Sequence, residues 1–296
     1  MTTLEASKRI AINNVLFATD FSSHSNAALP YALAIAHQFG AKLYGTHVLA
    51  SDDYLFVAPE AWPYHVQNEE QLQKEAVVRL EEQLRGTLHQ SLSTVGDVWE
   101  ALRQLIGEHN IDLLVVGSHG RTGARKLLMG SVAETIFRQA SCPVLTVGPC
   151  VVQARTQLAE FNHILVATDF GEQSLAAASY AIVLAHEHQA RLSLLHVLKR
   201  AHPGAATPPP DPDLLFQRLQ ELVPLTTDLL YHPEYFIQLG LPTERILQFA
   251  AAHEIDLIVM GAHPTHGVVS AVTHLAHTAA QHIVAQAECP VLTVRS

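Results

Sequence analysis

The sequence predicts two tandem doubly wound α/β domains, each a five-stranded parallel sheet with helices on both faces, and three observations lead there. First, the chain states its motifs twice. VLFATDF at 15–21 returns as ILVATDF at 164–170, GTHVL at 45–49 is answered by SLLHVL at 193–198, EHNIDLLVVGSH at 108–119 by AHEIDLIVMGAH at 252–263, and CPVLTV at 142–147 recurs at 289–294. A period near 147 residues is far too long for a solenoid unit, so it marks a duplicated domain. Second, 296 residues divide into two units of common domain size, each long enough to bury a core. Third, short runs that are apolar along their whole length alternate with helical stretches, the pattern of parallel strands covered on both faces.

Taken in order, the β-branched and apolar runs place strands near 13–18, 42–49, 88–95, 112–117 and 143–147, with helices between them near 23–39, 69–85, 98–109 and 131–140. The second unit repeats the order, with strands near 163–167, 191–198, 234–239, 256–261 and 290–294. Domains are expected at 8–148 and 160–296, joined across a segment that opens on the break Gly148-Pro149. The Pro-rich AHPGAATPPPDPD at 201–213 reads as a surface excursion that is neither helix nor central strand. Its counterpart at 51–66 carries Tyr54, Phe56, Trp62 and Tyr64, which suits a lid, a partner contact or packing onto its own domain.

Composition narrows the function. With 18 basic against 28 acidic residues the net charge is −10, which gives no electrostatic footprint for nucleic acid or an anionic membrane. The start MTTLEASKRIAINN lacks the apolar core of a signal peptide, and no apolar run is of membrane-spanning length, so a cytoplasmic protein is expected. Cys142 and Cys289 open equivalent final strands, where small apolar packing is expected, and Cys150 is left as a free thiol.

The chemistry concentrates in GSHGRTGARKLLMGS, from Gly117 to Ser131, between a strand and a helix. Glycines at Gly117, Gly120 and Gly130 allow close backbone approach, and a Gly-Ser at a helix start offers free N–H groups and the positive end of a helix dipole. This G-x2-G-x9-G-S pattern is not the P-loop form, because no Gly-Lys-Ser/Thr follows, nor the dinucleotide form with its three close-set glycines. In an open parallel sheet the ligand lies beyond the carboxyl ends of the strands, where their order reverses. Asp20, closing the first strand, then faces the glycine loop, with Val48 as a third wall. Asp20 also suits a turn or helix N-cap ahead of Ser22, and position alone leaves both readings open.

On these residues, together with the HV after strand two and the CPV before strand five, the chain resembles a tandem universal stress protein, matching the nucleotide motif of that family's ATP-binding branch without a gap. The resemblance implies strand order 3-2-1-4-5, with adenine near Ala18, Thr19, Asp20 and Val48. It implies ribose and phosphates against Val116, Gly117, His119, Gly120, Gly130, Ser131 and Val132. Arg121 joins them as a loop cation, beside Arg125 and Lys126, and a solvated loop is the alternative for all three. It also implies pairing through the last strands, so that 143–147 and 290–294 meet edge to edge. The second unit departs from the motif: Pro264 stands for Gly120, His277-Thr278 for Gly130-Ser131, and the loop is three residues longer. Asp169 and Val197 survive, so one ATP per chain is expected, held by the first unit.

Nineteen histidines are the chain's odd excess, and His263, His266, His274, His277 and His282 fall in or near the altered loop. With no cysteine near and no H-E-x-x-H, surface histidines outweigh a zinc site there. Asp20, His119 and Ser131 have the residue types of a hydrolytic triad, but Ser131 is better explained as a phosphate-binding hydroxyl at a helix start. The expected cofactor is therefore ATP or another adenine nucleotide, with or without Mg, and the expected role that of a stress-response regulator acting through a protein partner, with a homodimer compatible. At most a weak ATPase is expected; a slow ATP hydrolase and a nucleotide-free interaction scaffold are the alternatives.

Overall fold

The computed structural model describes residues 10–50, 62–119, 130–151, 159–199, 211–262 and 279–295, with side chains of the segment beginning at 62 described from 69. In the first half β1 (Asn14–Ala18), α1 (Ser23–Asn26), α2 (Leu29–Phe39), β2 (Lys42–Ala50), α3 (Trp62–Gln83), β3 (His89–Gly96), α4 (Val98–Glu108), β4 (Leu113–Gly117), α5 (Ser131–Gln139) and β5 (Val144–Val147) follow one another. The second half gives β6 (His163–Thr168), α6 (Glu172–His188), β7 (Arg191–Leu198), α7 (Pro212–Glu221), β8 (Glu234–Leu239), α8 (Pro242–Ala252), β9 (Leu257–Gly261), α9 (Ala279–Gln286) and β10 (Val291–Val294).

All ten strands form one sheet in the order β3-β2-β1-β4-β5-β10-β9-β6-β7-β8, so each half has the expected 3-2-1-4-5 order. Pairing is parallel except where the halves join: β10 runs antiparallel to β5, with Leu292 opposite Leu145. That pairing removes two sheet edges and makes the core continuous. One apolar cluster takes in Val15, Phe17 and Ile35 together with Phe161, Ile164 and Leu184, so the halves share a core on one face of the sheet, while Leu16, Leu102 and Ile136 belong to a cluster of the first half and Leu165, Phe249 and Ile283 to one centred on the second. Asp112 and Asp256 explain the repeated Ile-Asp: each carboxylate accepts two backbone N–H groups at the start of the neighbouring strand, Asn13 and Asn14 at 2.8 and 3.0 Å, Asn162 and His163 at 2.9 and 3.0 Å.

Two expected elements differ. The helix expected at 23–39 is broken at Ala27–Ala28 into α1 and α2, because Pro30 in the first turn of α2 lacks an N–H and disfavours continuous helix before it. The Pro-rich excursion gives way to helix at Pro212, which occupies the first turn of α7, where a missing N–H costs nothing, behind the cap Asp211, whose side chain accepts from Asp213 N. Residues 200–210 lie outside the described residues, as do Tyr54 and Phe56; Trp62 and Tyr64 fall within α3. Cys142 and Cys289 are buried and free, each thiol pushed up to about 12 by burial, which fits packing rather than reactivity. Among the described residues no helix is long and apolar enough to cross a membrane.

A cleft at the carboxyl ends of the first-half strands

A cleft of about 770 Å³ opens where β1 and β4 part, within the range of small-molecule sites. Ala18, Thr19 and Asp20 come to it from the end of β1, Val48 from β2, Val116, Gly117 and His119 from β4 and beyond, and Gly130, Ser131 and Val132 from the start of α5. Gly120 and Arg121, with Arg125 and Lys126, lie outside the described residues.

The β1–α1 turn is held by a dense polar set. Asp20 Oδ1 accepts from Ser22 N at 2.9 Å and from Ser25 Oγ at 2.6 Å, and Thr19 Oγ1 lies 2.9 Å from Ser25 Oγ. Ser22, not Asp20, is the N-cap of α1. Asp20 therefore braces the turn and lines the cleft at once. Phe21 takes a φ of 62°, a left-handed conformation uncommon for an aromatic residue. It is clamped between the His47 ring, 4.6 Å away, and the Arg79 guanidinium, 4.4 Å from its centroid, while His47 Nδ1 lies 2.7 Å from Thr19 O.

The second half repeats this assembly. Asp169 Oδ1 accepts from Gly171 N at 2.9 Å and Ser174 Oγ at 2.8 Å, Phe170 has φ 61°, and it lies between His196 at 4.6 Å and Arg218 at 4.1 Å. Reasoning from the sequence missed Phe21, His47 and Arg79. Their signal was present in the duplicated Thr-Asp-Phe, in the His-Val of each second strand, and in the Arg-Leu at 79–80 and 218–219.

The two glycines at the ends of the loop differ in kind. A Cβ on Gly117 would stand 2.8 Å from His24 O and from Ser25 Cα, so the close approach of α1 requires this glycine with or without a ligand. Gly261 meets the same constraint, 2.5 Å from Ser174 N. Gly130 does not: its φ is −63°, and among the described residues a Cβ there would meet Ser118 O at 3.5 Å and His119 Cα at 3.9 Å, both ordinary contacts. Its missing side chain leaves room at the N-terminus of α5, where among the described residues no side chain caps the helix. Glu134, the acidic residue of that first turn, pairs with Arg138 at 2.7 Å.

Beside that helix end His119 is only 7 % exposed. Its Nδ1 lies 2.9 Å from Ser118 Oγ, and its Nε2 is buried with no partner among the described residues, as is Thr46 Oγ1 in the same cleft. An unsatisfied buried polar atom costs about 1–3 kcal/mol, so a ligand that supplies partners here gains that much relative to one that does not. Because His119 engages Ser118, no Asp20–His119–Ser131 relay runs through it. His282 lies in α9, whereas His263, His266, His274 and His277 lie outside the described residues; among the described residues no His, Cys, Asp and Glu group could hold a metal ion.

A ten-stranded, doubly wound α/β protein with a polar cleft at a strand-order switch point is a ligand-binding class rather than one chemistry. The family is specific: the chain belongs to the universal stress protein family, whose model matches residues 11–148 and again 160–295. A universal stress protein of Thermus aquaticus is 31% identical over 140 residues, spanning 46% of this chain and 99% of that protein. Universal stress protein A homolog 1 of Coxiella burnetii is 31% identical over 137 residues, 45% of this chain and 94% of that protein. Each such relative corresponds to about half of this chain. The crystal structure of a universal stress protein from Archaeoglobus fulgidus covers 97% of both chains with a TM-score of 0.72 at 19% identity, which shows the shared fold.

Proposed function

We propose that the first-half cleft binds ATP, one molecule per chain, and that the protein works as a nucleotide-responsive stress regulator through a protein partner. The observation that carries this reading is the convergence of Asp20, Val48, Gly130, Ser131 and the buried Nε2 of His119, which has no partner among the described residues, on one cleft from four separate stretches of chain. Ala18, Asp20 and Val48 would receive the adenine. The triphosphate would lie along the open side of Gly130 toward the first N–H groups of α5, where the helix dipole favours an anion, with Ser131 Oγ and His119 Nε2 as further partners. In the second half the turn with Asp169 is retained, but Pro264 and His277 change the loop that would meet phosphate, so that half contributes architecture rather than a second triphosphate site. Chemistry at the γ-phosphate would be slow, since Asp20 Oδ1 is held by the turn and His119 Nδ1 faces Ser118 Oγ, so the two do not pair as a carboxylate–imidazole base for an attacking water.

Calorimetric titration of nucleotide-stripped protein with ATP tests this directly, alongside analysis of nucleotide released on denaturing the purified protein. One site per chain is expected, with ATP rather than ADP in the extract. Absence of any adenine nucleotide, with no heat of binding, would leave an interaction scaffold as the function.

A further inference from the structure

The helix that opens the cleft belongs structurally to both halves. α5 presents Ile136 to the core of its own half, but Ala133 and Phe137, one turn apart on another face, lie in the core of the second half with Ile283, Val284 and Val291. Ala133 also lines the cleft. At the other end of α5, Arg295, which follows β10, donates from Nη2 to Phe137 O at 2.5 Å and from Nη1 to Arg138 O, and its guanidinium stands 5.9 Å from the Phe137 ring. A planar fork on the last carbonyls of a helix satisfies orphan acceptors and complements the negative end of the dipole.

The duplication supplies an internal comparison. One repeat earlier, the position of Arg295 is Gly148, and a side chain there would run into Val284 O of α9. Among the described residues, the thiol of Cys150 lies nearby on the α9 side, donating to Ala285 O at 3.7 Å. So among the described residues the charged fork stands on one side of the junction, and it grips the helix whose N-terminus carries Gly130-Ser131.

We propose that Arg295 is a positioning residue through which the second half sets the first half's nucleotide site: it fixes α5 from the far end, about 10 Å from Ser131 by helix rise, so that the junction between the halves and the occupancy of the cleft are energetically coupled. The proposal rests on the ATP reading above, and its test separates the two. Arg295→Met, which keeps the stem and removes the fork, is compared with Arg295→Lys, which restores a point charge, and with Cys150→Ala, which loosens the equivalent contact on α9. Two quantities are read on the full chain: the Kd for ATP, and amide hydrogen exchange of residues 131–134 without nucleotide.

The expected result is roughly five- to tenfold weaker ATP binding and faster exchange at 131–134 in Arg295→Met, partial recovery in Arg295→Lys, and neither change in Cys150→Ala. Unchanged Kd and exchange in a folded Arg295→Met protein would overturn the coupling, as would an equal effect from Cys150→Ala, which would mean only that the junction had loosened. If the parent chain binds no ATP, the nucleotide reading fails, and the exchange comparison still decides whether Arg295 orders the start of α5. Should Arg295→Met not fold, Arg295→Lys read at the same amides decides, with unaltered exchange counting against the proposal.

Discussion

At the residue scale, the two glycines of the nucleotide motif separate stability from binding. Gly130→Glu should leave the melting temperature nearly unchanged, since among the described residues a Cβ meets nothing closer than 3.5 Å, yet abolish ATP binding by placing a carboxylate where phosphate would sit. Gly117→Ala should do the reverse in origin: its Cβ would press on the backbone of α1 at 2.8 Å, costing about 1–3 kcal/mol before any ligand is considered. Thermal melts and ATP titrations of the two variants check both, and a Gly130→Glu protein that is folded and still binds ATP would remove the phosphate assignment. The carboxylates make a second pair. Asp20 and Asp169 brace their turns alike, so replacing either by Ala should cost comparable stability, about 1–3 kcal/mol, because each leaves a backbone N–H and a serine hydroxyl short of a partner. Only Asp20→Ala should also weaken ATP binding; equal damage to binding from Asp169→Ala would mean that the second half holds nucleotide too.

At the scale of elements, each strand falls within about two residues of its expected place, because most have a short apolar run in the interior, such as 113–116 in β4 and 164–167 in β6. What sequence patterning could not resolve were interruptions decided by one residue in a helical stretch: Pro30 splitting α2 from α1, and Pro212 opening α7 rather than extending a loop. The cleft was legible where it depended on a local motif. Phe21, His47 and Arg79 were not, since their stack forms only when the β1–α1 turn, β2 and α3 are brought together. Helix endings offer a further test. After α4 and α8 the chain turns through Asn110 at φ 48° and Glu254 at φ 50°, and the left-handed region is far easier for Asn or Gly than for Glu. Glu254 is exposed, so Glu254→Gly should raise stability by about 0.5–1 kcal/mol in denaturant titration, and a loss of stability would show that the Glu side chain contributes more than the backbone strain it carries.

At the scale of the whole molecule, duplication was plain in the sequence and the edge-to-edge meeting of the last strands followed from the family resemblance, as β5 and β10 show, but the core shared through aromatic packing across the junction was not legible. His188, at the end of α6, lies among that packing, 4.9 Å from the Phe161 ring and 6.4 Å from Phe39 of the first half, and its Nε2 is buried with no partner among the described residues. Burial lowers its pKa from 6.5 to about 4, against a smaller opposing pull from Glu187. Because the folded pKa lies below the unfolded one, the folded chain binds fewer protons between those values. The stability it permits is complete above about pH 6.5 and is lost as pH falls toward about 4, by at most about 3 kcal/mol. His163, also lowered by burial, adds a loss of the same sign. Urea unfolding at pH 7.5, 5.5 and 4.5 should therefore show a declining midpoint in the parent chain and a distinctly shallower decline in His188→Leu, which removes the titrating ring while keeping apolar volume between Phe39 and Phe161. If the two declines coincide, His188 is not the group that makes the union of the halves sensitive to acid.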